Sequence, residues 1–89
     1  MVRIKCKVLK SRLDERDFED REKGTVRHIK NLRVTVLDDE GDPAEVVFYE
    51  PFPADWEKVF VKGASADIPL RSMELPRGST IPVCRAANG

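Results

Sequence analysis

The chain opens on a regular alternation: Val2, Ile4, Cys6 and Val8 share one parity, and Arg3, Lys5 and Lys7 share the other. Successive side chains of a strand point to opposite faces, so residues 2–10 predict a strand with an apolar face for a core and a cationic face outside. Residues 25–37, "TVRHIKNLRVTVL", predict a second long strand with Leu32, Val34 and Val36 inward. Val26 shares their parity and Ile29 does not, which requires a bulge or bend near Lys30 and Asn31. In the third strand, "AEVVFYE", Val46 and Phe48 lie on one side and Val47 and Tyr49 on the other, so both faces are apolar. "EKVFVKG" reads as a fourth strand ending at Gly63, and "TIPVCR" as the last. Between them a short strand is expected around Ile68 to Met73, with Pro69 confining it to an edge or a bulge.

Residues 11–24, "SRLDERDFEDREKG", break this pattern. Leu13 and Phe18 are their only apolar residues, too few for a core-facing helical stripe. A helix there would be laced by Asp17/Arg21 and Glu19/Lys23 at i,i+4, but a helix of this length without a buried face is marginal in water. The segment therefore reads as a long charged loop projecting from the sheet, with a short helix as the alternative. "DDEGDP" supplies a turn and "PFPADW" a connector. Five or more short strands with short connections describe an all-β fold: a small five-stranded antiparallel barrel, OB-like, with SH3-like barrels as the other candidate architecture. One domain is expected over residues 1–85, with a disordered tail at 86–89.

Sixteen basic and sixteen acidic residues cancel, so the total charge offers no support for a polyanion partner. The charges are nonetheless segregated. Arg3, Lys5, Lys7, Lys10 and Arg12 fall within residues 2–12 without an acid, and residues 38–42 hold four acids. A neutral molecule with a basic face still presents a local positive potential. Cys6 and Cys84 sit in strand-like segments and read as small buried apolar residues rather than a disulfide. A single histidine, His28, and the lack of Cys/His clusters argue against a metal site, and no cofactor is implied. No glycine cluster cradles a phosphate, and no nucleophile stands beside a base, so an enzyme is not expected. The lack of a long apolar stretch or a basic-then-apolar leader argues for a cytoplasmic protein without a membrane span.

Binding of single-stranded nucleic acid needs cations that follow phosphates and rings on which bases stack. The candidate cations are Lys5 and Lys7 on the first strand, Arg16, Arg21 and Lys23 in the projecting segment, and Arg27 and Arg33 on the second strand. Tyr49 is the foremost candidate ring, because Tyr49 and Phe48 cannot both face inward and a hydroxyl tolerates water. Trp56 and Phe60 are further candidates. Phe60, between Lys58 and Lys62 in alternation, is either a second exposed ring or a sign that inside and outside are reversed there.

The order "REKGTVRHIKNLRVTV" followed by "AEVVFYEPFPADWEKVFVKG" resembles the OB-fold single-stranded-DNA-binding proteins, most closely the small helix-destabilising proteins of filamentous phages and mobile elements. That resemblance implies a sequence-tolerant protein that coats single-stranded DNA during DNA replication, works as a homodimer, and uses the segment around Arg16, Arg21 and Lys23 as its DNA-binding wing. RNA stays open as a substitute for DNA. The chain departs from the family pattern in having Arg27 and His28 where an aromatic tends to follow the loop glycine, and in the acids of the wing. The competing class is a small β-barrel protein-interaction module using the acidic turn and the "FYEPFPADW" surface.

Overall fold

The computed structural model describes residues 2–87. Five strands account for most of them: β1 (Val2–Asp20), β2 (Thr25–Asp38), β3 (Pro43–Tyr49), β4 (Ser65–Glu74) and β5 (Val83–Ala86). A single helical turn, α1 (Trp56–Val59), lies between β3 and β4. The strands form one sheet that closes on itself in the order β1-β2-β3-β5-β4, so β1 pairs with both β2 and β4. No helix among the described residues is long and apolar enough to cross a membrane.

The alternation of the first strand is realised from Ile4 onward: Ile4, Cys6 and Val8 are buried and meet Leu32, Val34 and Val36 of β2 and Val46 and Phe48 of β3 inside the ring, whereas Val2, at the start of the strand, is exposed. Both cysteines are free and buried. Burial pushes each thiol above its ordinary pKa, and for Cys6 the carboxylates of Asp39 and Asp67 add to the effect.

Several expectations are corrected. Residues 11–20 are neither loop nor helix: β1 runs on to Asp20 and pairs residue by residue with β2 as far as Asp20 opposite Thr25. Only residues 21–24 turn, with Asp20 Oδ1 accepting the backbone N–H groups of Glu22 and Lys23 and Gly24 at φ 63°. Ladder hydrogen bonds and cross-strand charge pairs outweigh the poor strand propensity of Asp, Glu and Lys here. The bulge expected near Lys30 and Asn31 lies instead on β1, where Val8 opposes Val36, Lys10 opposes Thr35, and Leu9 is the extra residue.

The pairing is not wholly antiparallel. β5 runs parallel to β3, which needs a long crossover, and residues 50–82 supply it. "EKVFVKG" is not a strand; it begins with the last three residues of α1 and ends in a turn at Gly63, whose N–H donates to Val8 O and brings the chain alongside β1. The segment around Pro69 is the longer fourth strand, bulged between Leu70 and Ser72. Ala86 and Ala87, expected within a disordered tail, belong to the fold instead: Ala86 is a buried member of β5 and the Ala87 N–H donates to Pro69 O. Residues 88–89 lie outside the described residues.

Candidate nucleic-acid interface

In an antiparallel ladder, residues directly opposite one another share a face. Along the β1–β2 arm, Arg12 opposes Arg33, Asp14 opposes Asn31, Arg16 opposes Ile29, and Phe18 opposes Arg27. Across the next ladder, Asn31 opposes Tyr49 and Arg33 opposes Val47. Register therefore gathers Arg12, Arg16, Arg27 and Arg33 with Phe18 and Tyr49 on one outward surface, which leads to Arg21 and Lys23 at the tip.

The acids of the arm fall mostly on its other surface. Glu15 lies opposite Lys30 with a 3.6 Å ion pair, and Asp17 lies opposite His28, whose Nδ1 is 2.7 Å from Asp17 Oδ1. Asp14 is the acid in the middle of the basic surface, and it is clamped: Arg16 and Arg33 each donate to its Oδ2 at 3.1 Å. Partial burial alone would raise the Asp14 pKa, but the two arginine hydrogen bonds prevail and hold it below the ordinary carboxylate value. Arg33 also donates to Glu45 at 2.9 Å. The Glu45 bond is the main reason its guanidinium is held charged still more firmly than usual, against the opposing effect of burial. Arg33 thus ties β1, β2 and β3 together, and its charge is already matched by two carboxylates.

The remaining candidates separate by environment. Arg21, Lys23 and Arg27 are exposed and form no ion pair among the described residues, and the same holds for Arg12. Lys5 and Lys7 are exposed on the outward face of β1, but Lys5 lies opposite Asp67 and shares shallow recesses with Asp39. Arg3 beside them pairs with Asp67 at 3.0 Å. The cations of the opening strand are thus partly answered within the molecule. Tyr49 is half-buried on the outward face of β3.

Phe60 is corrected: it is 6% exposed and packs on Phe48 with ring centroids 5.1 Å apart, so it has no free face for a base. Trp56 is half-buried against the core from α1, outside the β-ladders that form the basic surface. Phe52 packs against the same core cluster, and Ser11 Oγ donates to Phe60 O, which ties this segment to β1.

Sequence reasoning passed over Phe18, which is 56% exposed and sits across from Arg27. Its signal was present, an aromatic in a segment with no core to join, but its face could be assigned only once the register was known.

A cavity of about 780 Å³ lies elsewhere. It is apolar, lined by Phe48, Pro51, Phe52, Phe60 and Ile68 among others, and its one charged residue, Asp67, is already engaged by Arg3. No family model, no curated protein and no solved structure matches this chain.

Proposed function

We propose that the chain is an OB-like barrel that binds single-stranded DNA with little sequence preference, through phosphate contacts and base stacking, and is not an enzyme. The observation that carries this reading is the shared face of Arg12, Arg16, Arg27, Phe18 and Tyr49. Five strands in one closed ring, with a long β1–β2 arm ending in a short turn and an outward face built on β2 and β3, support this reading, because OB-folds bind oligonucleotides on the face of their second and third strands. Phe18 and Tyr49 take the stacking role in place of Trp56 and Phe60. Arg12, Arg21, Lys23 and Arg27 supply the unpaired charge. Titration of a dye-labelled oligothymidylate tests it. Each phosphate contact contributes a log–log salt slope of about −0.7, so these four cations together set a slope near −3. Absence of any anisotropy change at low salt overturns the reading.

A homodimer belongs to the same reading, supported by the exposure of Leu13 and Val26 on the surface of the arm that faces away from the arginines. A sedimentation mass of one chain at micromolar concentration removes it.

The second reading, a protein-interaction module, is favoured by the apolar cavity beside "EPFP", which suits an anchoring apolar side chain of another polypeptide better than it suits phosphate. Val59→Lys at its rim separates the two, because it abolishes such docking and leaves oligonucleotide binding intact.

A further inference from the structure

At the far end of the basic surface, the β4 bulge between Leu70 and Ser72 takes Arg71 out of the ladder. Bulges re-aim side chains in this way. Arg71 then borders a recess of about 420 Å³ together with Tyr49, Glu50, Ala86 and Ala87. That volume falls in the range of small-ligand sites, about 300–1,000 Å³. Two alanines leave room between a ring and two opposite charges. Although Glu50 and Arg71 border one recess, neither forms an ion pair or a side-chain hydrogen bond among the described residues. Both remain available to a third body.

The chemistry of these three side chains is restrictive. A carboxylate only accepts, through two oxygens, and best fits an edge that offers two adjacent N–H donors. A guanidinium only donates, in a fork, and best fits two adjacent acceptors. Among the bases, guanine combines both features: N1–H and the N2 amino group side by side on one edge, and O6 with N7 on the other. The arginine fork on O6 and N7 is the commonest specific contact to guanine. Cytosine and adenine place an acceptor next to their amino group, and thymine flanks its one imino donor with two acceptors, which a carboxylate repels. The geometry points to a guanine pocket: Tyr49 stacks on the base, Glu50 accepts from its Watson–Crick edge, and Arg71 donates to O6 and N7. This rests on the single-strand reading and refines it, placing one base-selective position on an otherwise tolerant surface.

The test uses the full chain and three labelled oligothymidylates of equal length, one unmodified, one with a single central dG, and one with a single central dC. The intact protein should bind the dG oligonucleotide about tenfold more tightly than the other two, the lower end of the discrimination that a good bidentate contact provides. Glu50→Gln should erase that preference without weakening binding to plain oligothymidylate. Ala87→Leu, which fills the recess without changing charge, should also erase it. Equal affinity for the three oligonucleotides, or a preference that survives Glu50→Gln, overturns the guanine pocket. If tight, salt-sensitive binding persists in that case, the single-strand reading stands without it; if no oligonucleotide binds, both fall.

Discussion

Between Ile4 and Val8, β1 buries every second residue, whereas between Arg12 and Asp20 the same strand buries none. β2 divides in the same way, with Leu32, Val34 and Val36 fully enclosed and residues 25–31 at the surface. One part of each strand is held by a core shared among all five strands, the other by a two-stranded ladder and its charge pairs. The arm also leaves its mark on the dimensions. The radius of gyration is 14.2 Å, against about 12 Å for a compact chain of this length. An isolated hairpin is marginal in water, so the ring anchors an arm that would not fold alone. Stability and exposed charge are thus spatially divided: the five-stranded ring supplies the fold, and the arm displays cations and the Phe18 side chain without a core of its own.

Truncating one side chain in each part should separate their roles most strongly. Leu32→Ala should destabilise the protein by about 2–5 kcal/mol in urea denaturation, whereas Phe18→Ala should change stability by no more than about 0.5 kcal/mol. In oligothymidylate binding the order reverses: Phe18→Ala should weaken it by about 1–3 kcal/mol, the value of one stacked base. Replacing Arg21, Lys23 and Arg27 together by Gln should flatten the log–log salt slope by about 2 and leave the melting temperature nearly unchanged. An unchanged slope would mean that the tip does not touch phosphates.

Smaller effects sharpen the boundary between the two parts. The hydroxyl of Ser72 is buried without a hydrogen-bond partner, as is Asn31 Oδ1. Removing the former by Ser72→Ala should leave stability unchanged or raise it by up to about 1 kcal/mol. Asp14, with its pKa lowered by the arginines, contributes stability that is present above its ordinary value of 3.8 and is lost as pH falls through the lower folded value. Melting temperatures of the wild type and Asp14→Asn should accordingly differ at pH 5 and converge toward pH 2.

The ring was largely legible in the sequence because burial imposes period two on Ile4, Cys6, Val8, Leu32, Val34 and Val36. The arm was not, because residues 12–20 face solvent on both sides and nothing selects their parity. Their pattern is a cross-strand one, Glu15 with Lys30 and Asp17 with His28, visible only when two distant segments are aligned. Attention to i,i+4 spacing found Asp17/Arg21 and Glu19/Lys23 instead, which fit a helix the chain does not form. Leu9 hid the register from the other direction, since one extra residue shifts every later side chain of β1 to the opposite parity. Phe60 was misplaced because alternating Lys58, Phe60 and Lys62 imitates a strand over a stretch that holds one helical turn. The basic surface was therefore readable as a set of cations, while the selection among them, with Arg33 engaged and Arg27 free, needed the third dimension.

The most direct test of the central claim is a map of backbone amide shifts on adding a mixed-sequence single-stranded oligonucleotide at low salt. Shifts are expected along residues 12–29, around Asn31 and at Tyr49, with those around Phe52 and Phe60 unmoved. Shifts confined to the apolar cavity between Phe52 and Ile68, or none at all, would contradict it.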